Sequence, residues 1–441
     1  MNNNFDVIIS GCGPAGSILG YLLAQNNISA LILEKEIFPR KKLCAGGIQH
    51  RTLKLIPFDV SEVIEKTIYG IYFSLANKDV IHKKSDSPII YTVERAIFDN
   101  FLAGRADGSG CRIQYGEGLT DYEFFDEYVE VHTGKSSYRA KILVGADGIR
   151  GAVHKKITGS NSFNKIIGYE TEIEYGDGGF MVKDRTGNIF DFKDSVRLDF
   201  NGVKKGYGWV FPKNNRMSCG VGAPAANAPK AKKYFKLFLS EFYARGKSLI
   251  NVPESVSRPE SSLGLKSFIG QELLTGLESL QGLKTETISK SLTEPVSGIS
   301  LPLPAHGGLK IMAHGIPVRK KDTPYCGYRV IAVGDAACFG DGFTGEGLYN
   351  AIKSSIIAAD CIKNSLKNSD FSFSDYFKLI EADICRDINI SLMLTKVFYS
   401  SVFLFYNLLK KNDNYFHACC RILRGERTYK EIVEKLKFIK F

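Results

Sequence analysis

The sequence predicts an α/β and α+β chain: a Rossmann-like dinucleotide-binding domain assembled from both ends of the chain, a mixed β-sheet domain between them and a C-terminal helical region. Three observations predict it. Near the start, Gly11-Cys12-Gly13-Pro14-Ala15-Gly16 leads to Glu34 and then to Lys42-Leu43-Cys44-Ala45-Gly46-Gly47. Far downstream, Val333-Gly334-Asp335-Ala336-Ala337 runs on to Phe343-Thr344-Gly345-Glu346-Gly347. Between them stands Gly206-Tyr207-Gly208-Trp209-Val210-Phe211-Pro212, which holds the only tryptophan. Two dinucleotide-type segments at opposite ends imply one cofactor held by both. The aromatic segment then faces whatever that cofactor reduces or oxidises.

The elements follow in order. Phe5 to Ser10 is a short apolar run and reads as a strand, Ser17 to Gln25 as a helix, and Ala30 to Glu34 as the second strand. Gly11, Gly13 and Gly16 permit a tight turn, close approach of a pyrophosphate and close helix–strand packing, with unpaired N–H groups of the helix start facing the phosphate. Glu34 ends the second strand, where an acid binds ribose hydroxyls. Thr67 to Leu75 falls among short strands and loops, and Glu94 to Asp99 opens a helix through Ala106. Cys111 to Val131 reads as a strand and hairpin leading to Val144-Gly145-Ala146-Asp147-Gly148. From Gly168 to Val221, Tyr, Phe and Val alternate with Gly and Asp turns, which predicts a mixed sheet roofing a ligand. Residues 252–308, rich in Ser, Gly, Leu and Pro, show no legible organisation. In Val333-Gly334-Asp335 an apolar strand presents an acid at its tip, and a glycine turn and a helix from Leu348 to Ala359 follow. The boundaries implied are 1–66, 91–160 and 327–365 for the cofactor domain, 67–90 and 161–326 for the sheet domain, and 366–441 for the helical region.

Composition narrows the class. With 441 residues, 44% hydrophobic and 24% charged, the chain can fill two or three domains. Its ten cysteines include no CxxC pair and read as free thiols of a reducing cytoplasm. Cys385, His417, Cys419 and Cys420 fit no metal-ligand spacing, so no metal site is expected. The net charge of +11 comes with no legible nucleic-acid module. It suits anionic lipid headgroups or a diphosphate substrate, beside the plain reading of a basic surface. The N-terminus enters a strand at once and lacks the layout of an export signal. Ser391 to Leu409 is rich in Leu, Phe, Tyr and Val but carries Lys396 and Asn407, which points to a buried or interfacial helix rather than a span. Lys410, Lys411, Arg421, Arg424 and Arg427 follow it, the layout of an interfacial anchor; the competing reading has this helix close the substrate tunnel from inside. The expected location is cytoplasmic and peripheral at the inner membrane face.

The motifs together resemble those of the geranylgeranyl reductases, FAD-dependent polyprenyl reductases among the flavoproteins that share the para-hydroxybenzoate hydroxylase fold and a glutathione-reductase-type FAD domain. The resemblance rests on GCGPAG with Glu34, KLCAGG, VGADGIRGAV at 144–153, GYGWVFP at 206–212 and VGDAACFGDGFTGEG at 333–347. It implies FAD contacts at Ala15, Glu34, Cys44, Ala45, Gly47, Arg95, Leu119, Asp335, Gly347 and Leu348, beside the motif glycines Gly11, Gly13, Gly16 and Gly345. Of the residues carried over, Arg95 alone could supply a full positive charge to the pyrophosphate. The family loop has Gly where this chain has Ala45, and the wider class usually has Ser where this chain has Gly151. The second departure bears on nicotinamide contact, so the electron donor is left open between NADPH, ferredoxin and another carrier protein.

The expected reaction follows from the chemistry. Tyr207, Trp209 and Phe211 alternate along one strand and so share a face, an aromatic wall for an apolar substrate or else a core face. Pro212 would end the strand pairing. An isolated trisubstituted alkene resists direct hydride attack because nothing stabilises a carbanion. Protonation at the less substituted carbon is therefore expected to accompany hydride delivery from the reduced flavin, with Tyr207 and Trp209 stabilising the developing cation. The resemblance places Cys44 beside the flavin ring, which makes it the acid or proton relay; its other reading is a small side chain packed under the ring. The substrate expected is a polyprenyl lipid or prenyl diphosphate. The alternatives are a flavin-dependent monooxygenase or halogenase on the same fold, and a non-catalytic flavin- or lipid-binding protein.

Overall fold

In a computed structural model, residues 3–158, 163–174, 180–183, 189–243 and 310–436 are described; the unpatterned segment 252–308 lies outside them. A parallel sheet runs in the order Val330–Ala332, Ser137–Gly145, Asn4–Ser10, Ala30–Glu34 and Arg112–Tyr115. The three central strands pair through residues such as Val7, Ile8, Ile9, Leu31, Ile32 and Leu143, all at most 1% exposed. Continuous β-branched and leucine runs of that kind suit a sheet covered on both faces. Helices Pro14–Gln25, Arg95–Gly108 and Leu348–Asn368 pack on one another through Ile18, Leu102 and Ile352, and share a core with the sheet through Leu19, Ala103 and Ala358. The hairpin partners Val129–Thr133 and Leu119–Phe124 extend the sheet antiparallel from Ser137–Gly145.

The strand from Ala30 to Glu34 matches its sequence limits, whereas the first helix begins at Pro14 rather than Ser17. Pro14 occupies the first helical position, where its fixed φ is pre-set for a helix and its missing N–H costs nothing. Gly11 takes φ +102°, and a side chain there would come within 2.5 Å of the Ala146 carbonyl, so this turn admits no other residue.

A second sheet of seven strands runs Met312–Arg319, Phe163–Glu174, Arg216–Pro224, Tyr207–Pro212, Ser195–Phe200, Gly70–Leu75 and Lys78–Lys84. Only the pairing of Ser195–Phe200 with Gly70–Leu75 is parallel, so the sheet is mixed, as expected. Phe238 of helix Ala228–Tyr243 covers Gly208 on one face. Tyr207, Trp209 and Phe211 point from the other. The strand ends at Pro212 as expected, and the hairpin closes one residue later, where Lys213 N–H donates to Arg216 O at 2.7 Å.

The apolar run from Ser391 to Leu409 is not one helix. It breaks at Ser401 (φ −145°, ψ 41°) into Arg386–Ser400 and Val402–Lys411, the latter bent by 88° from the helical stretch before it. Among the described residues no single helix is long and apolar enough to cross a membrane. All ten cysteines are free thiols.

Candidate active site

The two glycine motifs from opposite ends of the chain meet. Ser355 Oγ donates to Ala15 O at 2.8 Å, and a side chain at Gly334 would lie 3.3 Å from the Ala15 Cβ. Gly13 caps helix Pro14–Gln25 with no side-chain bond, and a Cβ there would meet nothing closer than Arg40 Nη2 at 3.7 Å. The helix start is thus an open cradle of unpaired N–H groups with a cation across from it.

The acids at both ends of this cradle suit a dinucleotide. Glu34, 5% exposed, accepts Cys12 N–H at 2.8 Å on one carboxylate oxygen and Glu36 N–H at 2.9 Å on the other. A carboxylate has about four acceptor sites, so ribose hydroxyls find room on Glu34. Asp335 opens the short helix after Val330–Ala332, and its Oδ1 lies 3.3 Å from where a Gly347 Cβ would stand. Gly347 caps helix Leu348–Asn368, again without a side-chain cap. Asp335, Gly347 and Leu348 therefore converge at a second helix start, whose Tyr349 N–H is taken by Glu346. Leu119 begins the strand beyond Glu34, where Glu117 N–H donates to Glu34 O at 2.9 Å. These features fit FAD: two helix starts, an acid beside each, and glycine backbone at both.

Arg95 is placed differently from the expectation. It is 6% exposed and holds Asp99 by two hydrogen bonds, at 2.8 and 3.0 Å, with the Cys44 thiol as a further partner. Its charge is balanced within the protein. Arg40, which sequence reasoning missed, reaches the same Asp99 at 3.3 Å and stands over Gly13, so it is the cation nearest the phosphate cradle. Only its place just before the cysteine loop hinted at this.

The cysteine loop lies under the aromatic strand. Gly46 N–H donates to Cys44 Sγ at 3.4 Å, and Val93 N–H donates to Gly46 O at 3.0 Å. Phe211 fills the space beside Gly47, where an added Cβ would come within 2.5 Å of its ring. Ala45 sits between, half-buried. Tyr207 Oη donates to Thr344 O at 2.5 Å, which ties the aromatic strand to the downstream glycine loop at Gly345. Burial holds the Tyr207 phenol above its ordinary range, with Asp341 and Cys44 adding to the effect, so it is a neutral donor. Trp209 lies across Gly220, whose missing side chain leaves the room, and its ring is 6.0 Å from that of Tyr207.

Tyr207 and Trp209 line a small, largely apolar pocket together with Ile166, Ile316, Phe343 and Tyr399. Phe211 is not among its walls; it belongs to the contact with Gly47. Two groups that shape the loop escaped the sequence reading. Asp341 Oδ1 accepts from Phe343 N–H and Thr344 N–H at 2.7 and 3.0 Å. Glu346 accepts Tyr349 N–H at 2.8 Å and lies 4.0 Å from Arg51; burial pushes its carboxyl up to about 7. Both acids were visible inside the glycine motif, with nothing to say which way they turned. Gly151, where Ser is usual, has no room for a side chain: a Cβ would fall 1.8 Å from the Asp147 Cγ, whose carboxylate accepts Val153 N–H at 2.9 Å.

Comparison with known proteins agrees with this geometry. The family of FAD-binding domains matches residues 4–170. A protein of Methanosarcina barkeri is 28% identical over 92% of this chain and 86% of its own length. A digeranylgeranylglycerophospholipid reductase of Methanocaldococcus jannaschii is 26% identical over 84% of this chain and 80% of its own. Among solved structures, a geranylgeranyl bacteriochlorophyll reductase-like protein of Thermoplasma acidophilum superposes with a TM-score of 0.69 at 18% identity, covering 100% of both chains. The flavin-dependent brominase Bmp2 gives 0.60 at 17% identity, over 99% of this chain and 100% of its own. The recognition of the geranylgeranyl reductase family in the motifs is borne out, as are the FAD-binding fold and FAD as cofactor. The chain is an FAD-dependent oxidoreductase.

Proposed function

We propose that this oxidoreductase saturates C=C bonds of a polyprenyl chain. The observation that carries the reading is the bond from Tyr207 Oη to Thr344 O, which joins an apolar, aromatic-walled pocket to the loop expected at the flavin. Relatives named digeranylgeranylglycerophospholipid reductases support a prenyl substrate. Bound at the residues of this site and reduced by NADPH, ferredoxin or another carrier, FAD would supply the hydride. Gly11, Gly13, Ala15 and Gly16, with Arg40, hold its pyrophosphate; Glu34 and Asp335 hold hydroxyls of its two arms, and Leu119 flanks the Glu34 end. Ala45, Gly47, Gly345, Gly347 and Leu348 present backbone to its ring, and Arg95 anchors the Cys44 loop.

Tyr207 and Trp209 exclude water and turn ring faces toward a carbon that gains positive charge, which lowers the cost of protonating an alkene. Cys44 Sγ, near Tyr207 and Arg95, is the group that relays a proton to the alkene. Mass spectrometry of extracted isoprenoids tests the reading: with active protein their masses should rise in steps of one H₂. A product carrying oxygen or a halogen instead would sink it in favour of the monooxygenase or halogenase. FAD that no donor reduces productively would favour the non-catalytic carrier.

The same reading puts the protein at an anionic lipid surface. What supports it is helix Arg386–Ser400, which gives Tyr399 to the pocket while Met393 and Val397 stand 43% and 48% exposed. Phe403 and Leu404 of the next helix are 64% and 55% exposed, near the exposed Lys396 and Lys411. An apolar face flanked by cations beside a pocket for an insoluble chain lets substrate pass from bilayer to pocket without crossing water.

A further inference from the structure

The pocket face of the seven-stranded sheet carries a buried acid that the chemistry above leaves unused. Glu170 lies on the same strand as Ile166 and Gly168, which line the pocket, and the period of two puts all three on one face. It is 2% exposed. Its Oε1 accepts a hydrogen bond from the Ser218 hydroxyl at 3.0 Å, and its Oε2 has no partner. Ser218 Oγ in turn accepts from Trp209 Nε1–H at 3.4 Å. One hydroxyl thus joins a buried carboxyl to the only tryptophan in the chain.

The surroundings favour a carboxyl that changes charge near neutrality. Lys213, 1% exposed, is held by Glu94 and Glu172 at 3.0 Å each. Arg216 pairs with the same two acids, and Lys41 lies 3.9 Å from Glu172. Glu65 faces this cluster from the strand-edge side, while Cys219, held neutral by burial, and His314, pushed down to about 4 by burial, are the titratable neighbours on the flanking strands. The cations are engaged by Glu94 and Glu172, and no ion pair among the described residues includes Glu170. Burial pushes its carboxyl up to about 7, with Ser218 and Lys213 opposing in part.

We propose that Glu170 is a positioning residue that sets, through Ser218, the electron density of Trp209 in the pocket. Ionised, it draws the Ser218 proton toward itself and makes the hydroxyl a better acceptor for the indole N–H; neutral, it does not. An indole whose N–H is more tightly bound presents a more negative face, and that face better stabilises a carbon gaining positive charge. The effect on rate rests on the alkene-reduction reading. The coupling between Glu170 and Trp209 does not.

Replacing tryptophan by 5-fluorotryptophan gives the FAD-loaded protein a single ¹⁹F resonance, at position 209. It should move between about pH 5 and about pH 9 with one midpoint near neutrality, and stay still in Glu170→Gln. In Ser218→Ala, where the acid still titrates, it should move less than half as far, which keeps the test alive if Glu170→Gln does not fold. A resonance that moves equally in Glu170→Gln, or that does not titrate in the wild type, overturns the proposal. Turnover of a polyprenyl substrate should rise about three- to tenfold across the same midpoint and stay at its low-pH level in Glu170→Gln. A rising limb retained in Glu170→Gln also overturns it. A coupled resonance with no turnover of any polyprenyl substrate overturns the functional reading alone and leaves the coupling intact.

Discussion

Tyr207→Phe deletes one oxygen and leaves the aromatic wall standing, so it separates the tether from the wall. The lost bond is the one from Tyr207 Oη to Thr344 O, 2.5 Å long, with a donor whose hydroxyl end is enclosed while its ring edge opens to the pocket. Leaving a buried carbonyl without its donor costs about 1–3 kcal/mol, and Thr344 is half-buried, which lowers the figure. The loop has other supports, since Asp341 takes Phe343 N–H and Thr344 N–H and Glu346 takes Tyr349 N–H, and these absorb part of the loss. The share felt by a cofactor resting on Gly345 and Gly347 should therefore lie at the lower end, about 1–2 kcal/mol, or roughly 5- to 30-fold weaker FAD binding. Titrating apoprotein with FAD and following flavin fluorescence gives the dissociation constant. Melting with and without FAD gives an independent value by linkage. Unchanged affinity together with an unchanged FAD-dependent stabilisation would refute the claim that this bond positions the loop. Trp209→Phe is the control: it reshapes the pocket without touching the tether, and should leave FAD affinity alone. Equal losses in both variants would mean general loosening of the sheet instead.

Asp335→Ala removes an acid set beside the Gly347 helix start and should cost about 1–3 kcal/mol of cofactor binding, so that the purified variant loses its yellow colour on dialysis; full FAD retention would contradict the placement. Cys44→Ser or Cys44→Ala should keep the flavin spectrum and dithionite reduction while alkene turnover falls about 10²-fold, and an unchanged rate would demote the thiol to packing. Glu346 is held at about 7 in the fold against an ordinary 4.5, so the stability its neutral form contributes is complete below 4.5 and lost as pH rises through 7. Thermal melts from about pH 5 to about pH 8 should show wild type losing of order 2–3 kcal/mol relative to Glu346→Gln, and parallel curves would rule this out. Flotation with phosphatidylglycerol vesicles should recover the protein at low salt and release it at high salt. Replacing Phe403 and Leu404 by Ser should abolish recovery, and a protein left in the soluble fraction under every condition ends the lipid-surface reading.

Much of the fold was legible because its signals are local. Gly11, Gly13 and Gly16 are neighbours in sequence and in space, and Glu34 follows at the end of a strand whose five residues are all buried. The sequence reading starts the first helix at Ser17, after the last glycine of the motif, while the true boundary is set by Gly13 and the proline after it. The break at Ser401 had no such marker. Neither glycine nor proline interrupts the run from Ser391 to Leu409, and the chain turns there because Phe398 packs on Phe200 and Phe343, two rings from distant parts of the sequence, and on Phe405 just past the break.

The site was legible where a motif carries its own geometry and hidden where strand register decides. Trp209 pairs opposite Gly220, and Gly220 opposite Glu170, so the three stand in a row across adjacent strands. Because the middle position has no side chain, the indole lies across it and comes within 3.5 Å of where a Gly168 Cβ would be, on the far strand. Ser218 is two residues along from Gly220 and so shares its face, which brings its hydroxyl to the indole N–H on one side and to Glu170 on the other. A slip of one residue between Tyr207–Pro212 and Arg216–Pro224 would put Trp209 and Ser218 on opposite faces and break the bond between them. In the sequence Glu170 reads as one polar residue among several in an alternating strand. Its connection to the pocket exists only because the Lys213–Arg216 turn fixes that register, and the same turn places Lys213 and Arg216 on Glu94 and Glu172, away from Glu170. Glu170 and Ser218, which tune the aromatic wall, therefore depend on the register that Lys213 and Arg216 fix, so a change in the turn should alter the chemistry of the pocket without touching a residue that lines it.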